Sequence, residues 1–185
     1  ASAQFMEEKF SDAITSSEYA IAIDPTDPDG LIAKANGLYR LGNYEEALKY
    51  YERYCDVVPD DEFGWLNTGT CLAYLDLYDK AIEALLKAEA AAQSSSPYRV
   101  QIYQELAFAY SAKKMPDKAL EVLDKTKSID CNHADIDVLK GHILLENGRL
   151  EEAEDIYKQA IIKSESNPEI VLRITVSLYD NKYIE

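Results

Sequence analysis

The chain carries little positive charge. Against 34 aspartates and glutamates it has only 19 lysines and arginines, which leaves a formal net charge of -15. A protein that binds nucleic acid needs a basic surface to displace the counterions of the phosphates, and anionic membranes also attract basic segments. The composition therefore argues against both kinds of partner and favours a protein or peptide that is neutral to basic.

Cysteine and long apolar runs are also scarce. Cys55, Cys71 and Cys131 form an odd, widely spaced set, which is more typical of a reducing compartment than of a disulfide framework. No apolar run approaches the roughly 20 residues of a membrane span, and the first residues, ASAQFMEEKF, lack the pattern of a secretion signal. We predict a cytoplasmic protein without membrane insertion, although a signal removed before residue 1 would leave the same sequence.

What the chain does contain is a repeat. Ala13, Ala47 and Ala81 are each 34 residues apart, and the step from Ala119 to Ala153 is again 34 residues. Only the step from Ala81 to Ala119 is longer, by four residues. A fixed period in this range is typical of a stacked helical array.

Each period also holds an earlier helix with a pattern of its own. A large residue is followed four positions later by a small one and three positions after that by an apolar one. Small residues in both helices allow two antiparallel helices to approach closely. The five copies of the pattern are Leu31-Ala35-Leu38, Trp65-Gly69-Leu72, Tyr103-Ala107-Tyr110, Asp137-Gly141-Leu144 and Val171-Thr175-Leu178.

The turns between paired helices differ among the copies. Gly42 and Gly148 stand where a left-handed residue is useful, whereas Asp76 and Lys114 occupy the equivalent positions, so we predict a different turn there. The four extra residues fall in AAAQSSSPYRV, where the alanine run from Ala88 predicts a lengthened second helix ended by residues 94–97. We interpret them as a tolerated insertion; a hinge or a partner contact is the alternative.

These residues resemble the tetratricopeptide repeat, whose motif joins W-x2-L-G-x2-Y to A-x3-F, A and P. Thr68 and Lys140 stand where that motif usually has leucine, and Tyr54 replaces its third small residue. The resemblance implies an all-α fold, a right-handed α-solenoid. The matching positions are Ala47, Tyr51 and Pro59 in one copy, Trp65, Gly69, Leu72, Ala81, Leu85 and Ala88 in the next, and Gly141, Leu144, Ala153, Tyr157 and Ala160 in a later one.

We predict a single array over residues 1–185. Its repeats are expected at 1–27 (partial, with the second helix from Phe10 to Ile23), 28–61, 62–95, 100–133, 134–167 and 168–185 (partial). The last helix, Pro168 to about Tyr179, has apolar residues but no partner helix in the sequence. We therefore expect a segment of a longer array whose final helix frays or associates with a second copy.

The stretch from Leu41 to Asp61 reads as one amphipathic helix, and its tyrosines need partners. We expect Tyr51 and Tyr54 to pack on the preceding and following helices, and Tyr50, one step round the helix, to be partly exposed.

The sequence offers little chemistry. Cys131, His133 and Asp135 lie close together, but no second histidine or cysteine nearby completes a tetrahedral zinc set, and nothing orients a base toward the thiol. His142 and Glu146 are one helical turn apart and are expected to form a surface pair. We predict no catalytic residue, no metal and no cofactor, and hence a protein that is not an enzyme.

In tetratricopeptide arrays the first helices line a concave groove, and the resemblance implies the same here. Aromatic and amide side chains in such a groove suit a peptide or partner segment. For Tyr39 and Tyr74, packing against neighbouring helices is an equal alternative. The predicted groove comprises Ile32, Asn36, Tyr39, Arg40, Phe63, Leu66, Asn67, Thr70, Tyr74, Gln101, Gln104, Phe108 and His142, with Ser111, Asp135, Val138, Leu145 and Glu146 alongside.

One subtype of the family grips the C-terminal carboxylate of a chaperone with two asparagines and several basic residues. Asn36 and Asn67 match the asparagines, but Ile32, Gln101 and Glu105 stand at the basic positions. Without those cations a carboxylate would be held poorly, so this ligand is disfavoured. The prediction is a non-catalytic interaction module; the alternative is an architectural spacer or oligomerisation segment of a larger protein.

Overall fold

Helices form most of the backbone in the computed structural model, which describes residues 2–129 and 134–181, with side chains from residue 9 onwards. Within these ranges there is no β-strand, and a short 3-10 helix at Lys125–Ser128 follows the seventh α-helix. The α-helices are α1 (Ser2–Ile23), α2 (Pro28–Arg40), α3 (Tyr44–Val57), α4 (Glu62–Tyr74), α5 (Tyr78–Ala91), α6 (Arg99–Ala112), α7 (Pro116–Asp124), α8 (Ala134–Glu146), α9 (Leu150–Lys163) and α10 (Pro168–Asp180).

The chain divides into two compact units, residues 1–105 and 106–185, with the boundary inside α6. In the first unit α2 packs on α3 and α4 on α5, while α1 packs on α2. In the second unit α8 packs on α9, and α10 packs on both. The predicted all-α arrangement of helix pairs is confirmed, whereas a single continuous array over residues 1–185 stays a prediction.

Side-chain caps start several first helices. Asp27 accepts a hydrogen bond from the Gly30 amide at 2.9 Å, and Asp61 accepts one from the Gly64 amide at 2.9 Å. Such caps satisfy backbone donors that the first turn leaves without a partner. Pro28 and Pro168 stand in the first turn of α2 and α10, where the missing N–H costs nothing.

The small positions of the repeat hold the paired helices together. A Cβ at Gly69 would lie 2.5 Å from Cγ of Leu85, and a Cβ at Gly141 would lie 2.2 Å from Cε1 of Tyr157. Ala47, Ala81, Ala119 and Ala153 are fully buried. Ala13, the equivalent residue in α1, is instead exposed and borders a cavity beside α2.

The turns at Asp76 and Lys114 correct the prediction made for them. Both residues adopt the left-handed conformation, with φ of 58° and 60°, as do Gly42 and Gly148 with φ of 78° and 73°. The reason is a shared set of backbone hydrogen bonds: Leu77 donates to the carbonyl of Leu72, just as Asn43 donates to that of Leu38. These bonds satisfy carbonyls at the helix end and outweigh the modest cost of a left-handed residue that is not glycine.

The prediction of a lengthened α5 is wrong. The helix ends at Ala91 and has 14 residues, as do α3 and α9. Ala92 turns to an extended conformation (φ -68°, ψ 121°), so the extra residues lie in the loop before α6. The alanines favour a helix, but beyond the first residue of α4 that helix offers no further surface on which α5 could pack. Because packing stabilises a helix more than propensity does, α5 ends there.

The first helix also differs from its predicted extent. Residues from Ser2 to Ile23 form one helix of 22 residues, so the helix that was expected to begin at Phe10 begins at Ser2. Most of the other helices have 13 or 14 residues, as the periodicity predicts, and α7 has only nine because a 3-10 turn follows it.

The tyrosines of α3 pack as expected. Tyr51 is fully buried, and its hydroxyl donates to Oδ1 of Asn36 on the preceding helix at 2.6 Å. Tyr54 donates to Asp61 at 3.0 Å and its ring lies against Gly64 on the following helix. Tyr50 is partly exposed, with Nζ of Lys34 4.5 Å from its ring centre.

Candidate functional site

A cavity of about 590 Å³ opens between the first helices of unit 1. α2 and α4 form its walls, and α1 and α6 border it. Seven of the predicted groove residues line it, together with Phe10, Ala13, Ala33 and Gly37, which the prediction did not include. The seven are Asn36, Tyr39, Arg40, Phe63, Asn67, Thr70 and Gln101.

Two asparagines in this cavity are held by the protein itself. Oδ1 of Asn36 accepts from the hydroxyl of Tyr51, and Nδ2 of Asn67 donates to the Phe63 carbonyl at 2.8 Å. Asn36 therefore retains an N–H donor, and Asn67 retains its carbonyl acceptor. Together they offer the two groups that a peptide unit needs.

Three tyrosine rings meet at one end of α2 and α4. Tyr44 and Tyr74 stack with ring centres 4.4 Å apart, and Tyr39 meets both edge-on at 5.5 and 6.0 Å. Tyr74 is 57% exposed, whereas Tyr39 is half-buried. Burial, a hydrogen bond with Tyr74 and the nearby charge of Glu105 raise the pKa of Tyr39 well above its usual range.

The sequence left open whether Tyr39 and Tyr74 pack against neighbouring helices or face the groove. Tyr39 packs against the core of unit 1, while Tyr74 keeps most of its surface accessible. The prediction missed Tyr44, which belongs to a second helix. Its signal was present, because Phe10, Tyr44 and Tyr78 recur at the repeat period of 34 residues.

Several predicted residues lie elsewhere. Leu66 is 1% exposed and belongs to the packed interior, which corrects its assignment to the groove. Its neighbour Asn67 takes the groove direction, because successive side chains on a helix point about 100° apart. Ile32 packs against the core, and Gln104 is half-buried in α6. Thr70 is also buried, although it borders the cavity.

Phe108 and His142 belong to unit 2. Phe108 is 51% exposed on α6. His142 is placed between two partners: Nδ1 lies 2.9 Å from the Ser177 hydroxyl and Nε2 lies 3.4 Å from Glu146. The expected pair of His142 and Glu146 is therefore present, and the second partner comes from α10.

Unit 2 has a smaller cavity of its own, about 350 Å³, between α8 and α10. Its lining is largely aliphatic, with Leu172 62% and Val176 49% exposed. Of the neighbours of the predicted groove, Val138 lines it, Leu145 is buried, and Asp135 pairs with Arg173. The lining residues are Val138, Leu139, His142, Leu172, Arg173, Val176, Ser177 and Asp180.

The described side chains contain no group of three histidines, cysteines or acids that is placed to hold a metal. Cys131 and His133 lie outside the described residues. Cys55 and Cys71 are buried free thiols, and burial raises their pKa to about 11 and about 12. In the described part of the chain, no helix combines the length and the apolar character needed to cross a membrane.

Comparison with known families gives the class of protein. The tetratricopeptide repeat matches residues 32–97, and the tetratricopeptide repeat-like domain matches residues 76–177, more than half of the chain. The chain belongs to the tetratricopeptide-repeat family. Members of this family are generally non-catalytic interaction modules, and the fold supports a role in protein–protein interaction.

One curated relative can be described further. The Hsp70-Hsp90 organising protein of Plasmodium falciparum (isolate 3D7) is 30% identical over 127 residues, which make up 67% of this chain and 22% of that protein. The chain thus spans less than a quarter of the length of this relative.

Solved structures share the fold. MamA superposes with a TM-score of 0.78 at 21% identity, covering 90% of this chain and 95% of that chain. TTC0263 of Thermus thermophilus gives 0.69 at 20% identity, covering 95% and 94%. YrrB, described as a tetratricopeptide-repeat protein with an unusual peptide-binding site, gives 0.67 at 18% identity, covering 94% and 87%. At these identities the likeness concerns the fold alone.

Proposed function

We propose that the chain is a non-catalytic interaction module that binds an extended segment of a partner protein in the cavity of unit 1. The observation that carries this proposal is the lining of that cavity, where aromatic rings and the amides of Asn36, Asn67 and Gln101 border one open space. The fold shared with a peptide-binding protein such as YrrB supports it.

The amides favour an extended backbone as the ligand. Asn36 keeps an N–H donor and Asn67 keeps a carbonyl acceptor, so the pair complements the C=O and N–H of a peptide unit. Such contacts hold a backbone without requiring a particular side chain. Selectivity then comes from the ring of Phe63 in the lining, from Tyr74, whose ring lies 6.0 Å from that of Tyr39, and from the charges nearby.

Charge favours a ligand that is neutral to basic. The net charge of -15 attracts cations and speeds their approach at low salt. Among the described side chains that line the cavity, Arg40 is the only cation. The similarity to a chaperone-organising protein supports protein binding in general, but Ile32, Gln101 and Glu105 still argue against a terminal carboxylate as the ligand.

The test is selection of binders from a random library of 12-residue peptides displayed on phage, followed by titration of the synthetic peptides. Tyr74→Ala should weaken a selected peptide by about 2 kcal/mol, as expected for an aromatic anchor. Tyr74 is mostly exposed, so its loss leaves the fold intact.

Tyr19→Ala is the matched control, since Tyr19 is 70% exposed on α1. It should leave binding unchanged. A library that yields no binder, or binders equally insensitive to both substitutions, would refute the groove as the site.

A second candidate is the architectural role, and the exposed face of α10 favours it. Val171, Leu172, Val176 and Tyr179 are 36–63% exposed there, whereas Ile170 and Ile174 pack inward. An apolar helix face of this kind can bury itself against a second copy. Sedimentation velocity separates the two roles: a dimer that Leu172→Glu dissociates supports assembly, and a monomer at all concentrations excludes it.

The proposal also covers the location of the protein and its behaviour toward nucleic acid. We propose a cytoplasmic location, supported by the free thiols Cys55 and Cys71, and no binding to nucleic acid, supported by the acidic charge. Binding of the chain to polyanionic oligonucleotides at physiological salt would contradict the second point.

A further inference from the structure

Glu105 belongs to the part of α6 that lies in unit 1, and its side chain is half-buried. It follows Asn67 by 38 residues, the same step that separates the small positions Gly69 and Ala107, so the two occupy the same place in the repeat. Asn67 lines the cavity, and so does Gln101, one helical turn before Glu105. The charge of Glu105 reaches the hydroxyl of Tyr39, which lines the same cavity.

The carboxylate of Glu105 lacks a partner. Across the described residues it takes part in no hydrogen bond and no ion pair, and it does not pair with Arg40, the cation of the cavity lining. Burial raises its pKa above the usual range. An ionised carboxylate that is partly removed from water without a counter-charge is costly, so the fold keeps this group at the expense of stability.

The neighbouring rings suit a cation as well. The charge of Glu105 contributes to the raised pKa of Tyr39, and the ring centre of Tyr39 lies 6.0 Å from that of Tyr74. Tyrosine faces attract lysine and arginine side chains, most strongly where water is partly excluded. The charge of Glu105 and the accessible ring of Tyr74 thus both act close to Tyr39, which lines the cavity.

We infer that Glu105, with the rings of Tyr39 and Tyr74 beside it, forms a subsite for a lysine or arginine side chain of the bound segment. The inference rests on the proposed function, since the segment lies in the cavity of unit 1. Glu105 stands at a position that holds a basic residue in carboxylate-binding relatives. An acid at this position favours a ligand of the opposite charge, a cation.

The experiment uses the selected peptides in a double-mutant cycle. Each basic residue of a peptide is neutralised in turn, arginine to citrulline and lysine to acetyl-lysine, and binding is measured by calorimetry to the parent chain and to Glu105→Gln. At one position, neutralisation should weaken binding to the parent about tenfold, as for a hydrogen bond to a charged group, and binding to Glu105→Gln by less than about threefold.

Glu83→Gln is the matched control. Glu83 is exposed on the second helix α5, so the substitution removes the same charge away from the groove. It should leave the tenfold effect of neutralisation intact, which separates a local contact from general attraction to an acidic protein.

The outcomes separate this inference from the function on which it rests. Peptides that depend on Tyr74 but carry no basic residue in common, or that respond alike to Glu105→Gln and Glu83→Gln, overturn the cationic subsite and leave the groove in place. A library that yields no binder overturns both.

Discussion

The cavities of the two units are built from the same positions of the repeat, but their linings differ. Asn36 and Thr70 in unit 1 correspond to His142 and Val176 in unit 2, and Asn67 corresponds to Leu139 and Arg173. The first cavity is lined by amides, aromatic rings and Arg40, whereas the second is mainly aliphatic. The backbone thus determines where a ligand can lie, and a few side chains per repeat determine which ligand fits.

The units also differ in how they tolerate change at the close helix contacts. Gly69 faces the flexible end of Leu85, whereas Gly141 faces the ring of Tyr157, whose hydroxyl lies 2.8 Å from the Ser177 hydroxyl. A ring held at both ends cannot move aside as a leucine can.

The largest predicted effect follows from this contrast. Gly141→Leu should lower the free energy of unfolding by about 3 kcal/mol, and Gly69→Leu by about 1–2 kcal/mol, because overpacking forces strain. Thermal unfolding followed by circular dichroism measures both. Glu83→Leu, on an exposed surface, controls for the added side chain, and a larger loss in Gly69→Leu than in Gly141→Leu would contradict the comparison.

The next effect concerns binding. Tyr39 and Tyr179 occupy the same repeat position in the two units. Tyr39→Ala should weaken a selected peptide by about 2 kcal/mol, and Tyr179→Ala should leave its affinity unchanged. Calorimetric titration of both variants measures this. A larger loss of affinity in Tyr179→Ala than in Tyr39→Ala would place the ligand in unit 2.

A smaller effect is expected at the helix caps. Asp61 caps α4 and also accepts from Tyr54, whereas Asn167 caps α10, whose outer face is exposed. Asp61→Ala should cost about 1 kcal/mol of global stability. Asn167→Ala should mainly speed amide hydrogen exchange within α10. If Asp61→Ala and Asn167→Ala lower the unfolding temperature equally, α10 is held as firmly as α4 and the prediction is wrong.

The smallest effect is the dependence of stability on Glu105. Because burial raises its pKa in the folded state, the folded chain binds this proton more tightly than the unfolded chain. Its ionisation therefore lowers stability as pH rises from the unfolded pKa, near 4.5, through the folded one. Glu105→Gln should melt slightly above the parent at pH 7, and the difference should vanish as pH falls toward 4.5.

Glu83→Gln again controls for the loss of one charge. A parent chain that melts above Glu105→Gln at pH 7 would mean that the carboxylate has a stabilising partner, and would remove the basis for a cationic subsite.

Much of the fold could be predicted from the sequence, because the small positions that allow close packing recur at a fixed period. Ala47 and Gly69 mark helix faces by their size alone, and the structure buries both. The turn at Lys114 was harder to predict from the sequence. The left-handed conformation of Lys114 depends on hydrogen bonds to the end of α6 and not on the preference of lysine itself.

The candidate site was only partly readable for a related reason. The repeat register assigned Asn36, Phe63 and Asn67 to one surface, and all three line one cavity, because equivalent positions on stacked helices face the same way. It assigned Leu66 to the groove although one step along a helix turns a side chain into the interior.

The sequence by itself determined the class of protein: a chain with five copies of a helix-pair pattern has to stack them to bury their apolar faces. Only the tertiary structure decided which groups remain available to a ligand. The donor left on Asn36 depends on a bond from Tyr51. That Glu105 has no hydrogen-bond or ion-pair partner among the described residues depends on the side chains around it. Such facts arise from three-dimensional packing between helices, which a repeat pattern along the chain does not record.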